Sequence, residues 1–269
     1  MRIVLPSNVS KRYFPNNTLC EYTVKLPEPI DLSKGQWEIG LSEIQFFKSW
    51  YNVTEAILIV QTQDKTINIA IPDGYYQTNE SLVKHLNEAL RCYCAKAIHN
   101  NITFEYHEIT RKCGVKIQSN EELTSQFKSM EFNDTLKKIL GIENFDVETN
   151  PECLQESVNE DDTNVFLITG MHPIRLRTIF NLMIYSDVVS DSVVGDIKAP
   201  LLRVVAVKEG HWKYQSTTID KIQYMPVSKK ELRTVSVYIY TDYGQLVPFT
   251  DGRTTVTVDL RRVNPINWY

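Results

Sequence analysis

Five histidines and five cysteines are the side chains here that could hold a metal or pair a nucleophile with a base. His85, Cys92 and His99 come nearest to a constellation. Their spacing of seven sets them in line along a helix flank, with neighbours about 10 Å apart, too far to share one ion. Cys92 and Cys94 point about 200° apart on the same helix and do not chelate together. The chain has no G-x-S-x-G elbow, no G-x-x-x-x-G-K-[ST], no G-x-G-x-x-G, no H-E-x-x-H and no C-x-x-C. With only 10 glycines, a Gly-rich loop cradling a phosphate is not expected either. The stretch ENFDVETNPECLQESVNEDD, 143–162, carries eight acids and no base, but its spacing matches no calcium loop and it reads as a solvated loop. No catalytic, cofactor-binding or metal-ligating residue is therefore assigned, and a non-enzyme is expected.

Such a chain must do its work with surfaces, and the elements that build them are mostly strands. Cys20, Tyr22, Val24 and Leu26 alternate with polar residues, as do Val235, Val237 and Ile239, and then Val256, Val258 and Leu260. Period two is the signature of antiparallel strands with one wet face. In QWEIGLSEIQF the apolar phase jumps from Trp37, Ile39 and Leu41 to Ile44 and Phe46, which predicts a bulge at Ser42 and Glu43. The runs beginning at Ala56, Ile179 and Leu201 are nearly continuous, as in strands covered on both sides, and a hairpin is expected between Val60 and Thr66.

Helix is confined to the middle. Thr78 or Asn79 can cap a helix with the apolar face Leu82, Leu86, Ala89, Leu90, Tyr93 and Ala97. Strands ITFEYHE and GVKIQ follow, then a short helix NDTLKKIL ended by Gly141. The order predicts a mainly β chain: an antiparallel β-sandwich from residues 1–65 and 163–269, with an α+β insertion at 66–162 that ends in the acidic loop.

Composition fits a soluble globular protein, with 42% hydrophobic and 23% charged residues and a net charge of −4. The opening residues have too short an apolar run before Pro6 for a secretory signal, and no apolar stretch is long enough to span a membrane. An odd number of irregularly spaced cysteines suits free thiols in the cytosol. The six N-x-S/T sequons, at Asn8, Asn16, Asn52, Asn79, Asn101 and Asn133, read as chance. From Lys198 to Tyr269 there are eleven bases and six acids, which suits a solvated sheet face better than a surface facing nucleic acid. Direct nucleic-acid contact stays open. Trp268 and Tyr269, in the closing NPINWY, dock on their own domain or on a neighbouring subunit.

The segments LPSNVSKRYFPNNTLCEYTVKLPEPIDLSKGQWEIGLSEIQFFKSWYNV, IPDGYYQTNESLVKHLNEAL, YSDVVSDSVVGDIKAPLLRVVAV and MPVSKKELRTVSVYIYTDYGQLVPFTDGRTTVTVDLRR resemble, in order, the minor capsid (penton) proteins of Polinton (Maverick) elements and adintoviruses. The resemblance runs from about Leu5 to Arg262, the acidic loop apart. It implies a single jelly roll that forms homopentamers at the vertices of an icosahedral virion capsid. A separate double jelly-roll major capsid protein would be its partner, and a fibre or host receptor a further one. No cofactor and no membrane insertion is implied, and synthesis would be in the host cytosol. The alternative is a receptor-binding spike or a domesticated binding module derived from such an element.

A closed ring of five needs heterologous contacts, for which inter-strand loops are the candidates. Trp50 and Tyr51 are interface aromatics or else seal the sandwich core. Val188, Val189, Val193 and Val194 make their loop more apolar than solvent exposure suits, so it packs back or a neighbour covers it. Leu246 and Phe249 stand in a third loop, between Gly244 and Gly252.

Overall fold

The computed structural model describes residues 1–142, 154–158, 164–176, 178–208 and 210–263. Trp268, Tyr269 and most of the acidic stretch lie outside them. In chain order the elements are β1 (Arg2–Pro6), β2 (Glu21–Asp31), β3 (Trp37–Phe47), β4 (Ile57–Thr62), β5 (Thr66–Ala70), α1 (Asn79–Tyr93), α2 (Lys96–His99), β6 (Ile102–His107), β7 (Lys112–Ser119), α3 (Glu121–Gln126), β8 (Phe127–Phe132) and α4 (Asp134–Leu140). There follow β9 (Leu154–Val158), β10 (Asn164–Thr169), β11 (Asn181–Ser186), β12 (Ser192–Val194), β13 (Ile197–Ala199), β14 (Leu201–Ala206), β15 (Tyr214–Thr218), β16 (Met225–Pro226), β17 (Glu231–Thr241) and β18 (Thr255–Arg262).

These elements form two compact units, one from Met1–Trp50 with the chain from Ile179 onward, the other Tyr51–Thr178. The expected insertion, 66–162, is therefore too narrow. Strand β4 pairs with β5 and with β8, and β10 pairs with β7, so the segments flanking the expected boundaries have their hydrogen-bond partners in the second unit.

In the first unit one sheet has the order β1-β18-β3-β15, with β16 also on β3, and the other has the order β14-β11-β17-β2. Every pairing is antiparallel. Numbered along the chain, these eight strands divide between the sheets as 1-8-3-6 and 5-4-7-2, the double Greek-key winding of a single jelly roll. Leu5, Tyr22, Leu41, Phe46, Ile184, Val237 and Leu260 fill the space between the sheets. The phenol of Tyr22 crosses it to donate to the Leu5 carbonyl at 3.0 Å, and burial pushes that phenol far above its ordinary pKa.

Local sequence explains the irregularities. Register on β18 skips from Glu43 to Leu41, so Ser42 is the extra residue of a bulge, and its hydroxyl donates to the Thr257 carbonyl at 3.1 Å. That lets both halves of β3 bury their apolar residues. A β-carbon at Gly40 would lie 2.5 Å from the Gln223 carbonyl oxygen, so only glycine admits the segment before β16 across β3. Strands β4 and β11 alternate buried with half-buried residues rather than being covered evenly on both faces.

The edge strand β2 is guarded. Asn17 pairs with Thr23 through both ends of its amide, at 2.9 Å each, and Ser10 Oγ accepts the Lys25 N–H at 3.0 Å. Beyond them Pro27 and Pro29 offer no N–H at all.

Among its described residues the second unit has a three-stranded sheet β5-β4-β8, a four-stranded sheet β6-β7-β10-β9 and four helices. Thr78 caps α1 with a capping box shared with Ser81, and Leu82, Leu86 and Leu90 are buried as expected. The helix stops at Cys94, whose ψ of 156° is extended, and Ala97 belongs to α2. Tyr93 is accordingly exposed rather than on the apolar face. Asn133 caps α4, and Gly141 ends the helix as the sequence predicts, in the left-handed region at φ 73°. Strand β9 lies within the acidic stretch expected to be loop.

Candidate subunit-contact surfaces

Interchain surfaces on a jelly roll come from its loops and outer faces, so the ends of the first unit are the place to look. At one end meet the β1–β2 loop, the β14–β15 loop, the β17–β18 loop and the chain leaving β3. Ser7 N–H donates to the Thr254 carbonyl at 2.8 Å and Lys48 N–H to that of Lys213 at 3.0 Å. Ser49, fully buried, donates to the Asp251 carbonyl at 2.7 Å and accepts from the Asp251 N–H at 3.0 Å.

Trp50 belongs to this buried end. It is 2% exposed, its ring stacks 6.1 Å from Phe46, and Phe249 meets it edge-on at 5.6 Å. Of the two readings of Trp50, the core seal is the observed one. Phe249 is half-buried in the same cluster. Tyr51 begins the second unit and is half-buried there. Lys48 beside them is buried, yet its ammonium donates to the Lys208 carbonyl at 2.7 Å and lies 5.6 Å from the Trp50 ring centroid. Burial, and then the Lys48 charge, hold His211 below the ordinary imidazole pKa. Trp212 packs on Phe47 at 5.6 Å and remains half exposed, at φ 50°.

At the opposite end the four valines separate. Val188 and Val189 are buried in the sandwich core, which corrects their assignment as contact residues. Asp187 roots this segment by accepting the Ser236 N–H at 2.8 Å and pairing with Lys229 at 2.5 Å. Val189 then bridges to Val227. Past this root the chain turns outward as the β12–β13 hairpin, a two-stranded sheet of its own. Gly195 at φ 61° opens its two-residue turn with Asp196. Val193 is 76% exposed and Val194 half-buried. Ile197, 58% exposed, was missed by the sequence reading although it sits in the same apolar segment. Leu246, at 36%, is on a separate loop and bridges to Tyr240.

The outer face of β11 and β17 is tyrosine-rich. Tyr185 and Tyr240 meet edge to face at 5.6 Å, and Met183 pairs across with Tyr240. Where this face reaches β2, a groove of about 350 Å³ opens under the β1–β2 loop, lined by Tyr13, Phe14, Pro15, Glu21, Thr23 and Tyr238 among others. Lys25 sits over the Tyr13 ring at 4.1 Å.

No known family model matches this chain, and no curated protein sequence does. Solved structures do. The mavirus penton protein covers 98% of this chain and 98% of its own length at 12% identity, with a TM-score of 0.47. A chain from the cryo-EM structure of the Sputnik virophage covers 97% of both at 11% identity, with a TM-score of 0.42. Neither is a described Polinton or adintovirus protein, so the narrower resemblance of the sequence segments has no counterpart in these two structures.

In the second unit a groove of about 420 Å³ is lined by Pro72, Asp73, Tyr75, Tyr76, Gln77 and His85 among others. His85 Nδ1 is within 2.7 Å of the Ser81 carbonyl, and no Ser, Thr or Cys side chain in the groove is paired with it. The line expected through His85, Cys92 and His99 is broken, because His99 stands on α2. Among the described residues no three His, Cys, Asp or Glu side chains are grouped to hold a metal, and no helix is long and apolar enough to cross a membrane.

Proposed function

We propose that this chain is a non-catalytic capsid protein, a homopentameric vertex (penton) component of an icosahedral particle. The observation that carries the reading is the strand order 1-8-3-6 and 5-4-7-2, a winding that recurs in viral capsid domains. The resemblance of the quoted segments to Polinton and adintovirus pentons supports the same role. On this reading the chain resides in the virion capsid beside a double jelly-roll major capsid protein. A fibre or host receptor meets its outer surface.

Native mass spectrometry and negative-stain microscopy of the purified chain, alone and co-expressed with a double jelly-roll major capsid protein, test the proposal. A ring of five is the expected species. A trimer would convert the reading into the spike alternative, and a monomer under both conditions would overturn both.

A further inference from the structure

We propose that the β12–β13 hairpin of one copy inserts as an arm into the groove beneath the β1–β2 loop of the next copy. This rests on the ring reading above and names the two surfaces that close the ring. The arm is too small to be self-sufficient, since an isolated two-stranded sheet is marginal in water. Its exposed apolar side chains also face opposite ways. Val193 pairs with Lys198, whereas Val194 pairs with Ile197, and neighbouring positions of a strand alternate faces, so Val193 and Ile197 stand on the two sides of the tip. A flat partner covers one of them, and a groove covers both.

The groove matches in shape and charge. Its Tyr13, Phe14, Pro15 and Tyr238 supply an apolar aromatic wall, and none of residues 187–200 lines it within the same subunit. The arm carries Asp191 and Asp196 beside Lys198, all exposed. Lys11 and Arg12, both exposed, directly precede the groove residue Tyr13 in the β1–β2 loop, and Lys25 lies over the Tyr13 ring, with Glu21 in the lining. Asp191, Asp196, Lys11 and Arg12 are in no ion pair among the described residues. An acidic arm with one base thus meets a basic rim with one acid, an arrangement that fixes orientation as well as attraction. Arm and groove are different patches of the same unit, so the contact is heterologous, the type that a closed ring requires.

The test uses two full-length double variants at exposed positions: Val193→Asp with Ile197→Asp in the arm, and Arg12→Glu with Tyr13→Asp at the groove. Circular dichroism should match the unsubstituted protein for both. Each variant alone should sediment as a monomer at concentrations where the unsubstituted chain assembles. Mixed in equal amounts they should give a two-chain species and nothing larger, because one intact arm and one intact groove make a single contact. A mixture that stays monomeric, or a five-membered ring that survives both pairs of substitutions, overturns the arm and groove and leaves the vertex reading standing. A ring of another number that both variants abolish upholds the arm and groove and overturns the vertex. An unsubstituted chain that never self-associates, co-expression included, overturns both.

Discussion

Single side chains decide what this molecule hides and what it offers. Trp50 is the clearest case: an aromatic near a loop in sequence is equally an anchor for a partner or a plug for the core, and only the rings of Phe46 and Phe249 around it distinguish the two. Trp50→Ala should cost about 3–5 kcal/mol in urea denaturation, as loss of a buried aromatic does, where an interface residue would leave monomer stability unchanged. The thiols divide in the same way. Burial pushes the Cys113 thiol up to about 12, whereas Cys92 is exposed. Alkylation at mildly basic pH should therefore label Cys92 in the native chain and reach Cys113 only after unfolding. His211 gives the chain a pH dependence. Its pKa is depressed on folding, so between that value and the ordinary ~6.5 the unfolded chain binds a proton that the folded chain refuses. Stability should fall as pH drops through this window, and His211→Gln should flatten that part of the denaturation midpoint profile. Three of the sequons find a structural account. Asn52 is 3% exposed and exchanges two hydrogen bonds with Tyr76, at 2.8 and 2.9 Å. Asn133 caps α4, and Asn101 donates to the Ala97 carbonyl at 2.7 Å.

At the level of elements, whatever is periodic or capped was legible and whatever depends on a distant partner was not. The phase jump at Ser42 located the bulge because a register slip inverts every side chain beyond it. Likewise Gly141 marked the end of α4, where it takes the left-handed conformation. The break at Cys94 was missed because Ala97 continues the helical spacing across it, and tertiary packing overrides such spacing. Strands β12, β13 and β15 are short, three to five residues, and carry too little alternation to stand out from loop. Asn17 went unnoticed because an asparagine in a turn-rich segment is ordinary. In the structure it occupies the pairing groups of Thr23 as another strand would. Asn17→Ala should lose about 1–2 kcal/mol for these hydrogen bonds, and light scattering should show faster aggregation, while the exposed Asn16→Ala serves as the neutral control.

Across the whole molecule the chain builds two hydrophobic cores, one around Leu41, Ile184 and Val237, the other around Leu58, Leu86 and Phe104. The boundaries misplaced by sequence show why two cores are hard to see in one dimension. An apolar strand such as Leu58–Val60 has the same pattern whichever sheet takes it, and the choice is made by β8, more than sixty residues later. Each core should respond to its own substitutions. Leu41→Ala and Leu86→Ala, each fully buried, should each cost about 2–5 kcal/mol and lower different parts of the calorimetric unfolding profile. A single transition lowered equally by both would show that the cores unfold as one. The guarded edge of β2 has a consequence for how copies of this chain can meet. With Asn17, Ser10, Pro27 and Pro29 occupying or deleting its pairing groups, that margin cannot be extended by a neighbour's backbone. Contacts there must be made by side chains, whose exchange is fast and salt-sensitive. If copies assemble into a shell, as proposed above, a subunit seated wrongly can then leave and try again, so errors are repaired before they are locked in.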